Sequence, residues 1–206
     1  MITIDLRKQL KHLYQPSAKQ VSIVDVPPLN FLMIDGTGNP NTSQEYRDAL
    51  EALYGLSYTL KFGVKQGKYG KQTYDYPVMA LEGLWWMDDM REFSLARKDD
   101  WKWTMMMLQP DIITPDHVEL ARADLIKKKH LIAASKFRFE AYHEGHCAQI
   151  MYFGPYADEG PTIQRLHDFI VESGHQLRGK HHEIYLGDPR RTAPEKLKTV
   201  IRQPMK

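Results

Sequence analysis

The chain has 206 residues, room for one compact domain or two closely fused halves, and its 42% hydrophobic and 26% charged content sets aside disordered and fibrous classes. A net charge of +2, with basic and acidic residues interspersed, offers no strong field to nucleic acid; no apolar run approaches the roughly 20 residues of a spanning helix, and no leader is read before the first strand. A single cysteine, Cys147, excludes an internal disulfide and fits a reducing compartment, so the expected location is the cytoplasm.

After a polar start, residues 21–26 read as a strand stopped by Pro27 and Pro28, with 31–35 as its partner. Gly36 and Gly38 turn the chain, and the capping box Thr42-Ser-Gln-Glu45 opens a helix carrying Ala49, Leu53, Leu56 and Leu60, closed by Gly63. A Gly- and Lys-bearing loop leads to a strand over 77–86. Residues 101–108 look like a further strand with Trp101, Trp103, Met105 and Met107 on one face. Thr114-Pro115-Asp116 caps a helix carrying Val118, Ala121 and Leu125, and Lys127-Lys128-Lys129 complements the dipole at its end. Residues 137–142 and 147–153 read as a strand pair. A helix follows with Ile163, Leu166, Phe169 and Ile170 on one face and Gly174 at its end, then a strand over 181–186 and a last one around 199–201.

Both halves therefore read strand, strand, helix, strand, a repeat of pattern with weak residue identity. The expected fold is α+β: antiparallel sheets with their helices on one side, in one domain over 1–206. The first module covers about 20–86, an insertion about 87–135, and the second module about 136–206.

Eleven Tyr, seven Phe, four Trp and ten Met supply contact area for a planar ligand beyond the needs of the core. On the strand over 181–186, Glu183 and Tyr185 share one face and His182, Ile184 and Leu186 the other. A carboxylate on an interior strand is costly unless it pairs with an Arg or Lys or does chemistry. Glu82 shares a face with Ala80, Leu84 and Trp86, while Trp85 points the other way with Leu81. Tyr152, Tyr156 and Tyr185 are phenols able to donate a proton, or structural residues; Trp103 and Met105 are wall or core. His143-Glu-Gly-His146-Cys147 lacks zinc-protease spacing and reads as a polar turn between strands, so neither a metal nor a cofactor is expected. Nucleophile elbow, Walker loop and dinucleotide fingerprint are all absent from the sequence.

Gly154-Pro155-Tyr156, His182-Glu183-Ile184-Tyr185-Leu186 and Asp188-Pro189, with Pro77 and Leu81-Glu82-Gly83-Leu84-Trp85-Trp86 in the first half, resemble the GyrI-like small-molecule-binding family. The resemblance implies two tandem strand-helix-strand-strand modules about a pseudo-twofold axis, with a ligand cleft where they meet. In multidrug-sensing regulators of that family a buried Glu, matched here by Glu183, faces aromatic and often cationic drugs. Other members, some free-standing ones among them, hydrolyse cyclopropane-bearing natural products that alkylate DNA. Carried onto this chain, the resemblance implies Glu183 as catalyst, with Glu82 and Tyr152 assisting from the same cleft. Trp85, Trp86, Tyr185, Tyr156, Trp103 and Met105 would hold a hydrophobic polycyclic molecule. Alternatives are a non-catalytic binding or sequestering module and a gyrase-contacting protein. Only about 20 residues precede the first strand, too few for a helix-turn-helix, so direct nucleic-acid binding is not expected, nor is a membrane.

Overall fold

The computed structural model describes residues 1–90, 94–128 and 131–206. The N-terminal segment, read as a polar start, is structured. It forms β1 (Ile2–Thr3) and two short helices, α1 (Leu6–Gln9) and α2 (Lys11–Tyr14), with Leu13 and Tyr14 buried. β2 (Ser22–Val26) stops at the two prolines and β3 (Leu29–Thr37) follows at once. α3 (Gln44–Lys65) begins at Ser43, whose hydroxyl accepts from the Tyr46 N–H at 3.2 Å, and buries Ala49, Leu53, Leu56 and Leu60 as the periodicity requires. It runs through Gly63, where its end was expected: the ring of Tyr69 packs into the space a Cβ would occupy there, so the glycine serves a close approach rather than a stop. β4 (Tyr74–Asp75) pairs in parallel with β1.

Then come β5 (Leu81–Trp86), β6 (Lys102–Leu108), α4 (Pro115–Lys128), β7 (Arg138–Tyr142), β8 (Gly145–Phe153), α5 (Gly160–Glu172), β9 (His181–Tyr185) and β10 (Lys198–Pro204). Lys127 and Lys128 occupy the last turn of α4, as its dipole favours; Lys129 lies outside the described residues.

Eight strands form one antiparallel sheet in the order β2-β8-β10-β9-β5-β6-β3-β7. Two expected pairings are corrected. β2 and β3 do not pair with each other, and neither do β7 and β8; β2 pairs β8, and β3 pairs β7. A two-residue hairpin needs positive φ in its turn, and neither Pro27-Pro28 nor His143-Glu144 offers it. The linkers instead bridge opposite ends of the sheet. Flat, the first and seventh strands would stand about 29 Å apart at ~4.8 Å per strand, whereas the two-proline link spans at most about 11 Å. The sheet must therefore curl until its ends approach. Strand 101–108, expected inside an insertion, is corrected as well: β6 is an inner strand, bonded to β5 on one side and β3 on the other. Exchanging β2, β3, β5 and β6 for β7, β8, β9 and β10 reverses the strand order onto itself.

α3 and α5 cover the same face. α3 packs on Leu32, Ile34, Trp103, Met105 and Met107, and α5 on Ala148, Ile150 and Ile201. The other face carries Met33, Leu84, Met106, Cys147, Ile184 and Val200, and α2 closes it with Leu13 and Tyr14. The three helices expected from the sequence, α3, α4 and α5, thus lie on one side as expected, and only the short α1 and α2, which fall in the segment read as a polar start, lie on the other. Among the described residues no helix is long and apolar enough to cross a membrane.

Candidate functional site

The register of β5 on β9 sets the site. Glu82 stands opposite Ile184, and Glu183 stands opposite Gly83. Residues directly opposed in an antiparallel pair share a face, so Glu82 and Glu183 point to opposite sides of the sheet. The expectation that both reach one cleft is overturned.

On the face closed by α2, Glu82 belongs to a buried charge network. Tyr14 Oη donates to Glu82 Oε1 at 2.5 Å, and His182 Nε2 lies 3.0 Å from Glu82 Oε2. His182 Nδ1 lies 2.9 Å from Glu144 Oε1, and Arg202 Nη1 donates to Glu144 Oε2 at 3.1 Å. Arg202 also donates to Gln149 Oε1 and to the carbonyl of Leu13, and Gln149 to the carbonyl of His12, which ties α2 down. Both ring nitrogens of His182 face carboxylates, so both must donate and the ring is an imidazolium. Two cations then balance two anions with their hydrogen bonds satisfied. Burial alone would lower the pKa of His182, but Glu144 and Glu82 raise it to about 9. Burial would likewise raise Glu144, and His182 with Arg202 hold it at about 2. Glu144 belongs to the motif read as a polar turn, yet it is 2% exposed. A network this closed offers nothing to a ligand; it is structural.

The helix-covered face is different. Glu183, 5% exposed, accepts from Tyr185 Oη at 2.7 Å on Oε2, and its Oε1 lies 3.1 Å from His181 Nε2. Trp85 Nε1 donates to Tyr185 Oη at 3.0 Å. Gly83 makes room for this: a Cβ there would sit 2.8 Å from Trp85 Nε1. Glu159, 3% exposed, leads into α5, and its carboxyl and that of Glu183 act on each other electrostatically. Two buried carboxyls so coupled share one proton. Burial and the Glu183 charge drive the Glu159 pKa far above the carboxylate range. Burial would also raise Glu183, but His181 and Tyr185, with Glu159 itself, lower it.

Tyrosines lie near enough to the pair to feel the Glu183 charge. Tyr156, half-buried in the turn Tyr156–Asp158, meets Tyr185 edge-on at 5.4 Å between ring centroids. Tyr46 of α3 lies 6.0 Å from Trp85 and 5.3 Å from Trp103. Tyr54, one helical face further out, is 37% exposed and feels both Tyr58 and Asp188. Burial and the Glu183 charge raise Tyr46 and Tyr185, and push Tyr156 up to about 12, so these phenols remain hydrogen-bond donors at neutral pH.

The expected residues thus divide. Glu183, Tyr185, Tyr156 and Trp85 come together; Glu82 does not. Trp86 points to the other face, where the Lys180 ammonium sits 3.4 Å from its ring centroid. Trp103 and Met105 are wholly buried against α3 and serve the core. The Tyr152 hydroxyl, proposed as a proton donor, is committed to the Pro155 carbonyl at 3.0 Å. Two surface cavities of about 730 and 250 Å³ lie along the outer side of α5 and at the start of α3, and Glu183 lines neither. Glu159 and His181 went unread. The signals were an acid directly before an apolar helix and a histidine two positions from a candidate carboxylate, on the same strand face. Among the described residues no cluster of His, Cys, Asp or Glu suits a metal ion.

The model of the GyrI-like small-molecule-binding domain matches residues 19–206. The chain belongs to this family. Its N-terminal strand and short helices thus stand ahead of the matched region, and α2 among them closes over the charge network. An uncharacterized conserved protein from Listeria innocua is 37% identical, with a TM-score of 0.89 over 98% of this chain and all of the other. A hydrolase from Listeria innocua is 36% identical, with a TM-score of 0.84 over the same shares. The C-terminal domain of EcmrR is 10% identical at a TM-score of 0.57, over 91% of this chain and 97% of that one, and shares the fold. No curated protein matches the sequence.

Proposed function

We propose that the chain binds flat, hydrophobic small molecules beside Glu183 and hydrolyses those carrying an electrophilic cyclopropane, destroying alkylating agents before they reach DNA. One observation carries the reading: a buried carboxylate bonded to His181 and Tyr185 and walled by Trp85, Tyr46 and Tyr156. Glu183 is the ionised member of a carboxyl pair, so it can draw a proton from water. The aromatic wall supplies a stacking surface. The likeness to a hydrolase at 36% identity over nearly the whole chain supports the reaction class.

The substrate's strained ring is already activated by conjugation to a carbonyl, so positioning and proton transfer suffice. Water adds to a ring carbon, the strained carbon–carbon bond opens, and its electron pair runs to the conjugated oxygen. Binding requires the tyrosine collar to part, since Glu183 is only 5% exposed. The test is incubation with a planar cyclopropane-bearing dienone, followed by mass spectrometry for the ring-opened product. Product should form well above the buffer rate and fall about a hundredfold or more in Glu183→Gln. An undiminished rate in that variant removes Glu183 from the chemistry. A compound that binds and is released unchanged makes the chain a sequestering module with the same site.

A further inference from the structure

We infer that Glu159 is the acid of this site: it holds the proton of the carboxyl pair and presents it, through Oε2, to an oxygen of the bound molecule. The inference rests on the proposed ligand site and assigns it a second reacting group.

The distribution of donors decides which carboxyl carries the proton. Both oxygens of Glu183 are engaged, Oε2 by the Tyr185 hydroxyl and Oε1 by the His181 ring. Glu159 has no comparable support. It is 3% exposed, the Glu183 charge acts on it, and its Oε2 is buried without a hydrogen-bond partner. A bare carboxylate so placed would leave a charge desolvated and facing a second charge. The proton therefore resides on Glu159. A buried polar oxygen left open in an otherwise satisfied site marks where a ligand atom is expected.

The groups that face Glu159 agree. Glu183 of β9 and the phenols of Tyr185, Tyr156 and Tyr152 would all be set against a negative charge on Glu159, and the Lys98 ammonium is the cation that lowers its pKa. Lys98 itself sits 5.5 Å from the Trp101 ring centroid. Glu82, the second carboxyl first expected here, is bonded to Tyr14 and His182 on the far face, so the pair is completed by Glu159 instead.

The proton balance closes without another reactant. As water adds, Glu183 takes its proton. A half-turn about the broad terminal torsion of Glu159 directs its hydroxyl to the ligand, and that proton goes to the oxygen that received the ring's electron pair. Glu183, now protonated, passes its proton back to Glu159, and the pair is reset.

Infrared spectroscopy of the full chain, free of ligand at neutral pH, tests the assignment directly. A carboxylic-acid C=O stretch should be present and should vanish in Glu159→Gln. Absence of that band, or its survival in Glu159→Gln, overturns the inference whether or not any compound is hydrolysed. Acridone, a flat ketone with no strained ring, then probes the contact, its binding followed by quenching of tryptophan emission. The acid band should move to lower frequency in the complex, and a band unmoved by bound acridone overturns the contact through Oε2. If acridone fails to bind while the band stands, the flat-ligand reading falls and the proton assignment is kept. With a cleaved substrate, Glu159→Gln should lower kcat about a hundredfold or more. It should also abolish the alkaline limb of the pH profile.

Discussion

His182 makes the stability of the fold depend on pH in a calculable way. Its ring is 1% exposed between Glu82 and Glu144, and these carboxylates raise its pKa from the ordinary 6.5 to about 9. At about 1.4 kcal/mol per factor of ten, that displacement stabilises the folded chain by about 3 kcal/mol. The folded pKa is raised, so the contribution is fully present below about pH 6.5 and is lost as pH rises through about 9. Another linkage acts at the upper end of this window: burial and Glu144 keep the Cys147 thiol protonated in the folded chain, whereas the unfolded thiol ionises around its ordinary value of about 9. The measurement must therefore be a difference: urea unfolding of the native chain and of His182→Gln, each near pH 6 and near pH 9.5. The variant should be the less stable at the lower pH, and the gap should shrink by about 3 kcal/mol at the higher. A gap that is equal at both pH values would mean that His182 is not held as an imidazolium, and the account of the network as a balanced set of four charges would fail.

Tyr14→Phe removes the hydroxyl that donates to Glu82 at 2.5 Å; it should cost about 1–3 kcal/mol in urea unfolding and loosen the N-terminal segment to proteolysis. Gly83→Ala would press a Cβ on the Trp85 indole at 2.8 Å, so it should cost about 1–3 kcal/mol and change the near-ultraviolet circular dichroism of the tryptophans. Glu144→Gln takes one anion from between His182 and Arg202 and should destabilise by about 3–5 kcal/mol, the larger loss expected when a buried charge is left unbalanced.

Much of the architecture was legible because it rests on local periodicity. The four-residue spacing of apolar side chains in α3 and the alternation along β5, β6 and β9 each act within a few residues, and each element formed in the region the pattern gave, though α3 is capped by Ser43 rather than Thr42 and runs past Gly63. Pairing was not legible. The sequence suggested that strands joined by a short link pair with each other. The absence of positive φ at Pro27-Pro28 and at His143-Glu144 sends each partner to the opposite end of the sheet and curls it. The network around His182 was hidden for a related reason: Tyr14, Glu82, Glu144, His182 and Arg202 come from five separate segments.

The sequence by itself determined that Glu183 and Tyr185 look the same way and that Trp85 and Trp86 look in opposite ways, since side chains on one strand must alternate. Only the tertiary structure decided which face of β5 joins which face of β9. That follows from register, with Gly83 rather than Glu82 opposite Glu183. A slip of one residue would have brought the two glutamates together. The observed register parts them, and the second carboxyl comes from Glu159, at the start of a helix that no periodicity on the strand could have pointed to.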